Sequence, residues 1–135
     1  MNNIFNIQKV CGFYVSSIHL VTKILPYINR QIEENANVIT FLEYNLKDNI
    51  ETILEKMIIN DITKNNILKI EWQSTNIFKM SSIYKKLKMN FNSDNINILI
   101  SGTNKYINQI NIIIENFINK NNKKFQNKKI TIINI

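Results

Sequence analysis

Residues 96–104 of this 135-residue chain read INILISGTN, and this stretch decides the fold. The first six residues are nearly all apolar, which is typical of a strand buried on both faces of a parallel sheet. Ser101, at the end of this run, and the three residues after it favour a tight turn. A clear helical period of apolar residues then runs from Tyr106 to Ile118. A buried strand, a turn and an amphipathic helix in this order are typical of an α/β protein.

The same alternation extends in both directions along the chain. Five short apolar runs are predicted as strands, at residues 10–15, 38–43, 67–72, 96–101 and 130–135. The stretches between them carry apolar residues at helical spacing and predict about four helices. Strand–helix–strand units predict a three-layer, Rossmann-like α/β fold with a mostly parallel five-stranded sheet. No repeat or linker divides the chain, so residues 1–135 are expected to form one α/β domain.

Local signals refine this picture. Pro26 is expected to kink or divide the first helix, and Asn35 is expected to end it in a left-handed conformation. Residues 60–66 are predicted to be a polar connection, and residues 119–129 a solvated basic loop. Cys11 falls inside the first predicted strand, so we expect it to be a small buried residue.

Composition limits the classes of partner. The net charge is +7, which is compatible with an anionic partner. Arg30 is the only arginine, however, and the many lysines accompany an excess of isoleucine and asparagine, so specific nucleic-acid binding is disfavoured. No apolar run approaches the length of a membrane span, and the N-terminus lacks the features of a signal peptide, so a cytoplasmic location is expected.

The usual catalytic and cofactor motifs are missing from the sequence. Two glycines, Gly12 and Gly102, form neither a phosphate-binding loop nor a dinucleotide fingerprint. One histidine and one cysteine are too few for a typical zinc site. Glu43 follows a predicted strand, but no second carboxylate is placed to act with it. The sequence therefore predicts no catalytic residue, no metal and no cofactor.

Polar and aromatic side chains follow the predicted strands, where ligands sit in parallel sheets. Such groups suit an uncharged or weakly polar small molecule, although the same residue types are also common as caps and turns. The candidate ligand-binding residues are Tyr14, Ser16, Ser17, His19, Glu43, Tyr44, Gln73, Ser74, Thr75, Ser101, Gly102 and Asn104.

The first third of the chain resembles the start of the MEDS domain, the methanogen/methylotroph DcmR-type sensory domain. The resemblance rests on three phrases: Lys9-Val-Cys-Gly-Phe-Tyr14, then His19-Leu-Val-Thr-Lys-Ile-Leu-Pro26, then residues 32–40 with their apolar strand. It covers about 40 residues and is topological beyond them. Such domains look like degenerate relatives of RecA-type ATPases, so the resemblance implies a RecA-like sheet without nucleotide hydrolysis.

The resemblance also implies a non-enzymatic sensory or regulatory function. A small molecule would bind at the carboxyl edge of the sheet, and the signal would pass through a protein partner. Two alternatives stay open at this point: a ligand-free adaptor for protein interaction, and a degenerate RecA-like nucleotide binder that holds an anion at the helix after Ser16 and Ser17. The sequence leaves self-association into a homo-oligomer undecided.

Overall fold

A computed structural model describes residues 6–12, 16–90 and 92–135. Within these residues the chain forms four strands and six helices. The strands are β1 (Asn6–Cys11), β2 (Asn37–Leu42), β3 (Asn95–Ser101) and β4 (Lys129–Asn134). The helices are α1 (Ser17–Glu33), α2 (Lys47–Lys56), α3 (Asp61–Leu68), α4 (Met80–Lys88), α5 (Asn104–Lys120) and α6 (Asn122–Phe125).

The four strands form one parallel sheet in the order β1-β4-β3-β2. Helices cover both faces. One buried apolar cluster joins α1, α2 and α3 to Leu42, Leu99 and Ile133. The other joins α4, α5 and Phe125 to Phe41 and alternate residues of β3 and β4. The α/β class and the parallel sheet are therefore confirmed, whereas the five-stranded sheet is not.

The first strand lies earlier than the sequence predicts. It spans Asn6–Cys11 instead of residues 10–15, and residues 13–15 lie outside the described part of the chain. The physical reason is that, among the described strands, β1 lies at the edge of the sheet and pairs with β4 alone, so it does not need a continuous apolar run. Cys11 ends this strand and is exposed, so the expectation that it is buried is wrong.

The strand predicted at residues 67–72 does not form. Helix α3 continues to Leu68 instead, and the prediction of a polar connection over residues 60–66 is wrong with it. Asn60 caps this helix, because its side-chain oxygen accepts a hydrogen bond from the Thr63 N–H at 2.7 Å. Of the apolar residues in the predicted strand, Ile67 faces the α1 side of the core from a helix, and Trp72 reaches the same cluster from an irregular segment.

The structure also tests the predictions about Pro26, Asn35 and residues 119–129. Helix α1 continues through Pro26 from Ser17 to Glu33, so the proline does not divide it. Asn35 has a φ of 60°, which confirms the left-handed turn. Residues 119–129 are not all solvated, because Phe125 is buried and its ring packs edge-on against Phe117 with the centroids 6.0 Å apart.

Candidate functional site

The carboxyl ends of the four strands lie side by side at one edge of the sheet. Leu42 of β2 is opposite Ser101 of β3, and Ile100 of β3 is opposite Asn134 of β4. Cys11 of β1 is opposite Asn134 on the other side of β4. The residues that follow the strands therefore start at a common level, where ligands usually bind in parallel α/β sheets.

A cleft of about 650 Å³ opens at the β2 end of this edge, and we call it the main cleft. Three of the predicted site residues, Glu43, Ser74 and Thr75, line it. The other lining residues come from the segment between α3 and α4 and from α4 and α5. They are Glu71, Asn76, Ile77, Phe78, Lys79, Ser82, Lys86 and Tyr106.

One wall of the main cleft is the edge segment, residues 71–75, which lies along β2. The Thr40 hydroxyl donates a hydrogen bond to the Glu71 carbonyl. The Thr75 N–H donates to the Leu42 carbonyl at 2.8 Å. These bonds cover polar groups that an edge strand would otherwise expose. The edge segment thus protects the sheet where the sequence predicted a fifth strand.

Lys86 fastens α4 to β2 and to the edge segment. Its Nζ donates to the Thr40 carbonyl at 2.8 Å and to the Thr75 hydroxyl at 2.9 Å. Glu71 Oε2 lies 3.5 Å from the same nitrogen, and the centre of the Phe41 ring lies 5.3 Å from it. The Lys86 side chain is 16% exposed. Burial lowers the pKa of Lys86, and the Glu71 carboxylate partly offsets this effect.

Glu43 follows β2, and its carboxylate lies at the start of α5, on another side of the main cleft. Its Oε1 accepts a hydrogen bond from the N–H of Thr103, the N-cap residue of α5, at 2.7 Å. The carboxylate therefore complements the positive end of the helix dipole. A phosphate at this helix end would meet the Glu43 carboxylate, so the site does not suit an anion.

Tyr106 connects α5 to the edge segment. Its hydroxyl donates a hydrogen bond to the Thr75 carbonyl at 2.8 Å, and the residue is buried. Burial raises the pKa of Tyr106, and the Glu43 carboxylate raises it further. The folded protein thus holds this phenol in its neutral, hydrogen-bonded form at pH values where a free tyrosine ionises.

Replacing Tyr106 with phenylalanine is expected to change the pH dependence of stability. At neutral pH the variant loses the bond to the Thr75 carbonyl, which costs about 1 kcal/mol of unfolding free energy. Above about pH 10 the unfolded wild type releases the phenol proton while the folded state retains it, so wild-type stability falls as the pH rises. Without the hydroxyl, this fall should be smaller by up to about 1.4 kcal/mol per pH unit.

Urea denaturation of both proteins at a series of pH values from neutral to about 11 measures this effect. Tyr27 contributes a fall in the same direction, because burial also raises its pKa, so the slope of the variant should be reduced rather than abolished. Parallel stability curves for the two proteins above pH 10 would contradict the role assigned to the Tyr106 hydroxyl.

Gly102 and Asn104 line a different cavity from the other predicted residues. A second cleft of about 450 Å³ lies at the ends of β1, β3 and β4. Asn111 and Asn134 also line this second cleft, and Asn111 Nδ2 donates to Asn134 Oδ1 at 2.9 Å. The predicted side chains therefore share one edge of the sheet but are divided between two clefts.

The predicted residues after β1 lie outside both clefts, as far as the structure describes them. Ser16 is the N-cap of α1, and its Oγ accepts a hydrogen bond from the His19 N–H at 3.1 Å. Ser17 is the first residue of α1, and the His19 side chain is exposed. Tyr14 lies outside the described residues. Ser16 was predicted to bind a ligand, but in the structure it caps α1, which is a common role of serine.

Three further predicted residues do not line either cleft. Tyr44 is 57% exposed, and Gln73 is also exposed. Ser101 is buried, and its carbonyl accepts a hydrogen bond from the Glu43 N–H at 2.8 Å. Ser101 thus positions Glu43 through the backbone.

Sequence reasoning missed Lys86 and Tyr106, which lie at the centre of the main cleft. Lys86 was not singled out because it lies beside Lys85 and Lys88 in the last turn of α4, and lysines are common at the C-terminus of a helix. The available signal was its spacing, since it lies three residues after the buried Ile83 and so borders the apolar face of α4. Tyr106 belongs to the apolar stripe of α5, and nothing in that stripe distinguishes its hydroxyl.

Comparison with protein-family models, with curated proteins and with solved structures gives no match for this chain. Function is therefore inferred from the geometry of the clefts. Among the described residues, no helix combines the length and the apolar character needed to cross a membrane. The same residues contain no group of three or more histidine, cysteine, aspartate or glutamate side chains arranged to hold a metal ion.

Proposed function

We propose that this chain is a non-enzymatic sensory or regulatory domain that binds a small molecule in the main cleft and signals through a protein partner. The observation that carries the proposal is the cleft itself, about 650 Å³ at the carboxyl edge of the sheet. This volume lies within the range of small-molecule sites. Its lining combines apolar Ile77 and Phe78 with hydroxyl, amide and charged groups.

The walls of the main cleft suggest how binding would be communicated. The edge segment is held by Lys86 from α4, by Tyr106 from α5 and by β2. A ligand that contacts this segment and both helices would change the relative stability of their contacts. The exposed Phe78 at the cleft is available to a partner, since 88% of its surface is accessible.

The relation to RecA-type ATPases is part of the proposal. The parallel sheet places β4 between β1 and β3, an order that supports a RecA-like core. A degenerate nucleotide binder stays the alternative. The sequence places its anion at the start of α1, which Ser16 caps, whereas in the main cleft the Glu43 carboxylate already occupies the start of α5. Glu71 adds a second carboxylate to the main cleft, so its two carboxylates and two lysines, Lys79 and Lys86, provide no net positive charge to attract a triphosphate.

A paired substitution on α4 tests the proposal. Ser82 lines the main cleft, whereas its exposed neighbour Ser81 does not. We expect Ser82→Phe to fill the cleft and Ser81→Phe to leave it open. Small neutral compounds and ATP would be screened by thermal denaturation against the wild type and both variants.

A true cleft ligand at 100 times its Kd should stabilise the wild type and Ser81→Phe by about 2.7 kcal/mol, a rise in Tm of several degrees. Ser82→Phe should show little or no rise. Equal stabilisation of all three proteins, or no stabilisation of the wild type by any compound, would overturn the proposal. Stabilisation by ATP alone would favour the nucleotide-binding alternative.

A ligand-free adaptor is the second candidate function. Two apolar side chains favour it: Ile58 is fully exposed between α2 and α3, and Phe78 is almost so. A protein partner that binds the wild type and Ser82→Phe equally well, without any added compound, would establish this alternative.

A further inference from the structure

We infer that Lys86 captures a carbonyl compound, an aldehyde or a ketone, as a reversible imine within the main cleft. This inference rests on the proposed function, and it names the ligand class of the same site. Two lysines line the main cleft, and the inference concerns Lys86 because Lys79 is exposed, whereas Lys86 lies among groups that can hold its amine and move its protons.

Lys86 differs from the other lysines of its helix in its surroundings. Lys85 and Lys88 are exposed, whereas the Lys86 side chain is largely buried. Lys86 lines the main cleft, and its Nζ contacts Thr75 and Glu71, which line the same cleft. Burial favours the neutral amine, which is the nucleophilic form of lysine. Lys128 is also buried, and its Nζ donates to the Ser93 carbonyl at 2.8 Å, but it lines neither cleft.

Groups that an imine-forming amine requires lie beside Lys86. Glu71 Oε2, at 3.5 Å, is close enough to exchange protons with the nitrogen after a small adjustment. The Thr75 hydroxyl and the Thr40 carbonyl, at 2.9 and 2.8 Å, position Nζ. A protonated imine keeps one N–H, so it can still donate to one of these two oxygens.

The chemical step balances without an added redox partner. The neutral Nζ attacks the carbonyl carbon, a C–N bond forms, and the π electrons of the C=O bond move to oxygen. The proton lost by nitrogen and the proton gained by oxygen pass through the Glu71 carboxylate. The nitrogen lone pair then forms the C=N bond as the C–O bond breaks, and the hydroxyl leaves as water with the proton that the Lys86 ammonium gave to Glu71 on becoming neutral. The product is a protonated imine, with no change in oxidation state.

Imine formation would also couple binding to the fold. Lys86 holds the edge segment through Thr75 and holds β2 through Thr40. Loss of N–H groups from this nitrogen removes at least one of these bonds. The edge segment would then be less firmly attached, which is a change that a partner protein could detect.

Reductive trapping tests the inference. The folded wild-type protein would be treated with limiting butyraldehyde and sodium cyanoborohydride, which reduces an imine to a stable secondary amine. Peptide mapping by mass spectrometry would then locate the added butyl group. We expect several-fold more label on Lys86 than on Lys85, Lys128 or Lys79, the exposed lysine that also lines the main cleft. We expect Ser82→Phe but not Ser81→Phe to suppress the Lys86 label.

The controls separate this inference from the proposed function. Lys86→Arg should abolish the preferential label, and Lys85→Arg should leave it unchanged. Label spread over the exposed lysines, with no preference for Lys86, would overturn carbonyl capture. If other compounds still stabilise the wild type but not Ser82→Phe, the cleft proposal survives that result. Because the wild type alone gives the site preference, the test holds even if Lys86→Arg does not fold.

Discussion

Replacing Trp72 with alanine is expected to lower the free energy of unfolding by about 3–5 kcal/mol, the usual cost of removing a large buried aromatic side chain. Trp72 is 3% exposed and packs in the cluster formed by α1, α2 and α3. Its Nε1–H also donates a hydrogen bond to the Ile67 carbonyl at 2.9 Å. A domain of ordinary stability would lose a large share of its total.

The same substitution is expected to disturb the main cleft. Trp72 belongs to the edge segment, and its carbonyl accepts a hydrogen bond from the Leu46 N–H at 2.9 Å. Its neighbours Glu71 and Ser74 line the cleft. Without the indole anchor, the segment should be less ordered, and compounds that stabilise the wild type should have a weaker effect on Trp72→Ala.

Two further variants calibrate the measurement, which is urea denaturation at neutral pH. Trp72→Phe keeps most of the buried area but loses the indole donor, so we expect a cost of about 1 kcal/mol. Phe78 lies shortly after the edge segment, and its ring is exposed. We expect Phe78→Ala to change the free energy of unfolding by no more than about 0.5 kcal/mol. A cost below about 1 kcal/mol for Trp72→Ala would show that the edge segment does not pack as described.

The sequence predicts the centre of this sheet better than its edges, for a physical reason. Strand β3 has neighbours on both sides and is buried from Ile96 to Ser101, so apolar residues are required throughout. Strand β1 has one neighbour, and its residues from Ile7 to Cys11 are exposed, so its pattern is weak. Hydrophobic periodicity reports burial, and it locates a strand only where the strand is buried.

The error at residues 67–72 arises from the same limit. Ile67, Ile70 and Trp72 all contact the α1 side of the core. They do so from a helix end and an irregular segment, yet their spacing is also that of a strand. The Asn60 cap was the local signal that favoured a helix, and it was weaker than the apolar alternation.

The candidate site divides in a similar way. Glu43 was predicted because residues that follow buried strands gather at one edge. Ser74 and Thr75 were predicted from a strand at residues 67–72 that does not form, and they reach the same cleft because the edge segment lies along β2. Lys86 and Tyr106 reach the same cleft from helices. Both contact Thr75, from which they are separated in sequence by 11 and 31 positions, respectively. Such contacts depend on how α4 and α5 pack on the sheet, which local patterns do not specify.

Replacing Gly102 with alanine is expected to cost about 2–5 kcal/mol, because it combines backbone strain with overpacking. Gly102 has a φ of +156°, a conformation that residues with a side chain rarely adopt. A Cβ there would lie 2.7 Å from Glu43 Cβ and 2.8 Å from Glu43 Oε1. Glu43 would have to move, and its bond to the Thr103 N–H would be lost or distorted.

Gly12→Ala is the matched control, since Gly12 follows β1 at the same edge of the sheet. A Cβ there would first meet Lys23 Nζ, the end of a flexible side chain, at 3.1 Å. We expect its unfolding free energy to change by no more than about 1 kcal/mol. A similar cost for both alanine variants would indicate a general intolerance at the strand ends, and not a specific contact between Gly102 and Glu43.

A double-mutant cycle separates the two causes of the Gly102→Ala cost. Glu43→Gly removes the Cβ that the added methyl group at position 102 would strike, but it leaves the strained φ of that position unchanged. The double variant should therefore recover the overpacking part, with a coupling free energy of at least about 1 kcal/mol between the two positions. If the two costs add without coupling, the close approach of Gly102 to Glu43 does not limit stability, and the glycine is explained by backbone strain together with Tyr106 Cδ1, which lies 3.0 Å from the added Cβ. Recovery would instead show that position 102 needs a glycine because Glu43, whose carboxylate bonds the Thr103 N–H at the main cleft, leaves no room for a Cβ.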